Sequence, residues 1–241
     1  MKITLDITRR ESPDAEPYIL SAAFETVTGS ETAAYALTSL NADPERRDVN
    51  GKPFPPIRWE SSCLQKKCGA CAMVICGKPM LACDARLEAV ARGGRVTLEP
   101  LKKFPVIADL AVDREPMFAA LAEMKQWLEE HGEVRPKETD RAFDASKCLQ
   151  CGCCLEVCPN FCTGSAFYGT AAAVPASRLM AVTNDAERAA LYRKHVYNGC
   201  GKSLACRNIC PAGIDIDSLL VNSNAAAVWK RRRKGGNPWT L

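Results

Sequence analysis

Fourteen cysteines stand in this chain of 241 residues, and their spacing sorts most of them into three groups. Cys63, Cys68 and Cys71 form C-x4-C-x2-C, with Cys83 following after eleven residues. Cys148, Cys151, Cys154 and Cys158, the last directly before Pro159, form C-x2-C-x2-C-x3-C-P. Cys200, Cys206 and Cys210, again before a proline, form C-x5-C-x3-C-P, with Ser203 where a second cysteine would complete the pattern. Thiolates are soft ligands, and groups this dense point to metal or redox chemistry.

The first spacing is that of plant-type two-iron ferredoxins, and the second that of bacterial ferredoxins. Gly69 and Ala70 are small enough to let the backbone approach a cluster closely. Structural zinc is the competing reading of the first group, but zinc favours paired C-x2-C knuckles over this asymmetric run. In two-cluster ferredoxins the last cysteine of each run ligates the other run's cluster. That exchange gives one set of four, Cys148, Cys151, Cys154 and Cys210, which suits [4Fe–4S]. It leaves a set of three, Cys158, Cys200 and Cys206, which suits [3Fe–4S]. A serine alkoxide or water could hold a fourth iron there, although hard oxygen matches iron–sulfur chemistry less well. Cys76, Cys153 and Cys162 are left over and read as small buried hydrophobes, with Cys153 turned away from the cluster its neighbours share.

No paired-carboxylate motif, Ser-His constellation or dinucleotide fingerprint accompanies these groups, and His131 and His195 read as surface residues. Three redox centres without a substrate site make an electron wire. Lys66 and Lys67 lie inside the first loop; a positive charge there favours the reduced cluster by about 1 kcal/mol, or about 40 mV per electron.

The length suits two domains, divided near residue 105: 1–105 carrying the first group and 106–241 carrying the other two. The composition, 47% hydrophobic and 25% charged, is that of a globular protein. No apolar run is long enough to span a bilayer, and "MKITLDITRR" lacks the apolar core of a secretory signal, so a cytosolic, reducing location is expected. A net charge of +4 is too mild to argue for nucleic acid. The basic run Lys230–Lys234 fits anionic headgroups, a partner subunit or a solvated terminus equally.

The elements that must position the cysteines follow from periodicity. Ile3, Leu5 and Ile7 alternate as in a half-buried strand, with Tyr18–Val27 as its hairpin partner. Ser30 is expected to cap a helix reaching Asn41, with Ala33, Ala36, Leu37 and Leu40 on one face. "AMVI" reads as a strand, "CGKPM" as a turn before "LAC", and "RVTLEP" as a further strand. Met117, Leu121, Met124 and Leu128 recur at helical spacing with Gly132 as the stop. "HGEVRPKETDRAFDASK" reads as a loop, with helices beyond it at about Asp185–Val196 and Asp217–Arg231.

Taken together, the C-x4-C-x2-C-x11-C group, the stretch "LEPLKKFPVIADLAVD" and the paired C-P runs resemble the iron–sulfur subunit of succinate dehydrogenases and fumarate reductases. The likeness covers nearly the whole chain. It implies an α+β protein: an N-terminal β-grasp domain with [2Fe–2S], then an all-α ferredoxin-like domain with [4Fe–4S] and [3Fe–4S]. All eleven ligands assigned above coincide with the family's ligand positions. The resemblance also implies a non-catalytic electron-transfer subunit between an FAD-containing flavoprotein and a cytochrome b-type membrane anchor with its quinone. The implied place is the cytoplasmic face of the cell membrane, held there by partner subunits.

One departure stands out. Quinone-reactive members carry a tryptophan after the C-P of the second group and a histidine after the first cysteine of the third. Here those positions are Thr163 and Gly201. Either the quinone binds elsewhere in an anchor subunit, or the terminal partner is not a quinone. The alternatives are therefore a soluble reductase of another unsaturated acid with a non-quinone donor, and a free-standing ferredoxin-like carrier.

Overall fold

A computed structural model describes residues 1–128, 132, 139–183 and 185–229. It divides into two compact units, Met1–Arg114 with Leu149–Glu156, and Glu115–Cys148 with Val157–Leu241. His131 and the basic run Lys230–Lys234 lie outside the described residues.

The first unit is built on a five-stranded sheet of order β2-β1-β5-β3-β4. Strand β1 (Lys2–Arg9) alternates as its sequence requires, with Ile3, Leu5 and Ile7 fully buried. It pairs antiparallel with β2 (Tyr18–Glu25) and parallel with β5 (Arg95–Glu99). Strand β3 (Ala72–Ile75) joins β5 antiparallel and is buried along its whole length.

Of the expected turn Cys76–Met80, the last three residues instead begin strand β4 (Lys78–Leu81), antiparallel to β3. Cys76 and Gly77, at φ 47° and 77°, make the two-residue turn between them. Two successive positive φ values match the twist of a tight hairpin. Pro79 is tolerated because β4 is the sheet's edge, where a missing N–H costs no ladder bond.

Helix α1 (Ala33–Ala42) buries Ala33, Ala34, Ala36 and Leu37. Thr32, not Ser30, caps it, its hydroxyl accepting the Tyr35 N–H at 3.2 Å. The start of α1 is tied to the segment after β4, Ala33 N–H donating to Ala85 O and Ala34 N–H to Ala82 O. A short helix α2 (Leu87–Val90) and the small hairpin of β6 (Val106–Ala108) and β7 (Ala111–Val112) complete this part.

The second unit is helical. Helix α3 (Glu115–Glu123) stops well before Gly132, because Lys125 turns left-handed at φ 51°. Met117 and Met124 are buried as the periodicity requires, but Leu128 is exposed. Within the expected loop, Thr139–Ser146 forms helix α4. Helix α5 (Cys153–Glu156) belongs to the first unit.

Helix α6 (Gly169–Val182) is the second unit's centre, packing against α3, α4, α7 and α8. No sequence signal announced it, since Pro175 interrupts its hydrogen bonding. Burial of Ala171–Val174, Ala176 and Leu179 offsets that cost. Helix α7 (Ala186–Tyr192) continues as a π-helical turn to Tyr197, and α8 (Ile216–Asn224) likewise to Trp229.

Candidate iron–sulfur centres

Between Cys63 and Cys71 the chain is a loop that bends its N–H groups inward. Leu64 and Lys66 adopt φ 53° and 60°, a conformation disfavoured for side chains larger than glycine. The reason lies in where their neighbours' amides point. Gln65 and Lys67 donate N–H to the Cys63 sulfur at 3.3 and 3.4 Å, Lys66 to Cys83 at 3.3 Å, and Ala70 to Cys68 at 3.5 Å. A loop of converging amides is a concave anion site, suited to the negative sulfurs of a cluster.

The thiols respond to this field. The Gln65 and Lys67 amides draw Cys63 down to about 7. Burial pushes Cys71 up to about 12, and negative charge on its neighbours Cys83 and Cys68 adds to the rise. All four cysteines of the first group therefore share one neighbourhood. Their thiolates and the converging N–H groups fit a two-iron cluster.

Of the set Cys148, Cys151, Cys154 and Cys210, Cys151 and Cys154 lie in the first unit, and Cys148 and Cys210 in the second. Cys151 is drawn down to about 7, first by the Cys153 thiol and, less strongly, by the charge of Arg114. Cys153 is fully buried as expected, and its thiol lies close enough to Cys151 to hydrogen-bond with it.

Of the other leftover cysteines, Cys76 is half-buried and Cys162 exposed, so neither is the sealed hydrophobe the sequence suggested. Cys76 is held out by its place in the β3–β4 turn.

In the set Cys158, Cys200 and Cys206, burial raises Cys206, and negative charge on Cys158 and Cys200 raises it further, while the Thr170 hydroxyl opposes both. These three cysteines are therefore close together. The backbone repeats here too. Two and four residues after Cys148, Gln150 and Gly152 have φ 49° and 86°. Two and four residues after Cys200, Lys202 and Leu204 have φ 56° and 55°. Ser203 thus occupies the backbone position of Cys151, with an exposed hydroxyl in place of a thiol. Left-handed Lys202 and Leu204 carry a strain that wrapping a cluster would explain.

Sequence reasoning missed Arg114. Its guanidinium donates to Gly69 O at 3.1 Å and Ala70 O at 2.9 Å, and pairs with Glu60. A lone arginine in "AVDREP" carries no spacing cue.

His195 is not the surface residue expected. It is 2% exposed, stacked on Tyr168 with ring centres 4.3 Å apart, its Nδ1 at 2.9 Å from Ala166 O and its Nε2 at 3.3 Å from Glu123 Oε1. Among the described residues no group of three or more His, Cys, Asp or Glu is arranged to hold a single metal ion.

Comparison with known proteins agrees with this picture. A family model described as a 2Fe-2S iron-sulfur cluster binding domain matches residues 4–119, and one described as a 4Fe-4S dicluster domain matches residues 144–214. The succinate dehydrogenase iron-sulfur subunit of Bacillus subtilis is 34% identical over 235 residues, covering 90% of this chain and 89% of that protein. The fumarate reductase iron-sulfur subunit of Mycobacterium tuberculosis is 32% identical over 198 residues, covering 76% and 78%. A solved chain titled "Mycobacterium smegmatis Sdh1 complex in the apo form" superposes with a TM-score of 0.79 at 20% identity, over 98% of this chain and 99% of that one. At that identity it speaks to the fold, which is the α+β arrangement expected. The chain belongs to the family of electron-transferring iron–sulfur subunits of succinate dehydrogenases and fumarate reductases.

Proposed function

We propose that this chain relays single electrons between an FAD-bearing flavoprotein subunit and a membrane-anchor subunit, itself performing no chemistry on the organic substrate. The proposed ligand sets are Cys63, Cys68, Cys71 and Cys83 for [2Fe–2S]; Cys148, Cys151, Cys154 and Cys210 for [4Fe–4S]; and Cys158, Cys200 and Cys206 for [3Fe–4S]. Each cluster, when bound, takes up and releases one electron.

The observation that carries the reading is the approach of the first cysteine loop to the second. A Cβ at Gly69 would lie 2.7 Å from Leu149 O and 2.9 Å from the Cβ of Cys151. No side chain of residue 69 separates the two loops there, as short-range electron passage requires. Arg114 braces the same loop through the Gly69 and Ala70 carbonyls and places positive charge near Cys151.

Among the described residues no helix is long and apolar enough to cross a membrane, and the proposed attachment to the cytoplasmic face runs through partner subunits. Gly201 and Thr163 supply neither an imidazole nor an indole N–H, and the proposed relay has no quinone in contact with either residue. The same gap supports a second reading, a soluble reductase of another unsaturated acid fed by a non-quinone donor.

EPR of the purified chain at stepped potentials tests the relay. A three-iron signal is expected in the oxidised protein and a two-iron signal on reduction, with iron and acid-labile sulfide both present. Ser203→Cys should convert the three-iron site toward four-iron. Persistence of the oxidised signal unchanged in that variant would remove the assignment of the open corner.

A further inference from the structure

Cys200 stands between two glycines, Gly199 and Gly201, and neither adopts a left-handed φ. An alanine would suit both backbones, so space, not conformation, calls for glycine. A Cβ at Gly201 would lie 2.9 Å from Nδ2 and 3.3 Å from Oδ1 of Asn160. A Cβ at Gly199 would lie 2.4 to 2.7 Å from side-chain atoms of Phe167. The Asn160 amide cannot simply swing away, because its Nδ2 donates to Gly199 O at 2.7 Å. The segment leaving Cys158 thus returns two side chains onto the loop that carries Cys200, one against each flanking glycine.

We infer that Asn160 is a positioning residue for the third cysteine group. It sets Cys200 against Cys158 through the Gly199 carbonyl and fills the space over residue 201, so that no side chain can project there. The inference rests on the reading that Cys158, Cys200 and Cys206 hold one cluster. It adds a cause for the glycine at 201: the space a larger residue would need is already filled from the Cys158 side. Phe167 acts as the opposite jaw. Since Gly201→Ala must displace the amide that Asn160→Ala deletes, the two substitutions break the same contact, and contacts shared in this way give non-additive effects.

The test is EPR and redox titration of the full chain, with the two-iron signal as an internal control for folding. Asn160→Ala and Gly201→Ala should each alter the lineshape and midpoint potential of the third cluster by similar amounts. The double variant should go no further than either single one, and the two-iron signal should be unmoved. A wild-type third signal in Asn160→Ala, or effects that sum in the double variant, overturns the inference. Should Asn160→Ala fail to accumulate, Asn160→Ser vacates the same space. Gly201→Ala must then be silent in the N160S background while disruptive alone, and equal disruption in both backgrounds overturns the inference. Absence of any third-cluster signal in the unaltered protein overturns the cluster reading and this inference together, whereas additivity with the signal present overturns only the role of Asn160.

Discussion

Nε of Arg9 lies 2.8 Å from Oδ1 of Asp109, with 3% and 4% of the two side chains exposed. The Asp109 carboxylate also accepts the Arg10 N–H at 2.9 Å and the Arg58 N–H at 2.8 Å. Arg9 donates further to the carbonyls of Pro55 and Pro56. Strand β1, the "PPIRW" segment and the β6–β7 turn are therefore pinned to one sealed ion pair. Removing one partner strands a buried charge, so Asp109→Ala should destabilise the first unit by about 3–5 kcal/mol. A denaturant melt followed through this unit checks it, and a loss below about 1 kcal/mol would show the pair to be dispensable.

Gly69 and Gly77 share φ 77°, yet their surroundings differ. At Gly77 an added Cβ meets nothing within 4 Å, so Gly77→Ala should cost only the backbone strain of about 1–2 kcal/mol. At Gly69 the Cβ would collide with Leu149 O, and a backbone atom cannot rotate aside. Gly69→Ala should therefore lose the two-iron EPR signal or yield a markedly sub-stoichiometric iron content, whereas Gly77→Ala retains both. Equal iron loading in the two variants would contradict the close packing of the loops.

Arg114 offers a test of electrostatic tuning. Positive charge near a cluster favours its reduced form, and one charge at short range is worth about 1 kcal/mol in water, or about 40 mV per electron. Arg114→Gln should lower the midpoint potential of the cluster proposed on Cys151, the thiol that feels this charge, by tens of millivolts. It also loosens the loop, since the guanidinium fork to the Gly69 and Ala70 carbonyls is lost. Redox titration reads the shift, and a rise in potential would exclude the charge argument.

Tyr168 should make stability depend on alkaline pH. Burial first, and then the Glu123 carboxylate that accepts its hydroxyl proton, raise it from 10 to about 12. The neutral phenol is the form the fold prefers. Its contribution is thus full below pH 10 and lost as pH rises through 12. Denaturant melts at a series of alkaline pH values should show this decline in the unaltered protein and a flatter one in Tyr168→Phe. Identical slopes would mean that the hydroxyl contributes nothing.

Much of the first unit was open to reading from the chain alone. Ile3, Leu5 and Ile7 alternate because one sheet face is buried, and "AMVI" is a continuous run because both faces of β3 are. Where reading failed, a distant partner had changed the local rule. Lys78–Leu81 became a strand because an edge forgives Pro79. Helix α6 formed through Pro175 because four other helices cover its alanines. Lys125, in the left-handed conformation, closed α3 before the apolar periodicity had run out.

By itself the sequence determined the grouping of the cysteines, since a loop wrapping a cluster is a few residues long and its ligand types and intervals are local. It determined equally that Ser203 stands where a thiol would be. Only the tertiary structure decided which groups surround those loops: Arg114 on the Gly69 and Ala70 carbonyls, Asn160 against Gly201, and a sealed His195 in place of a surface one. Such contacts join residues tens of positions apart. Their choice depends on volume and hydrogen-bond geometry after packing, which no interval along the chain encodes.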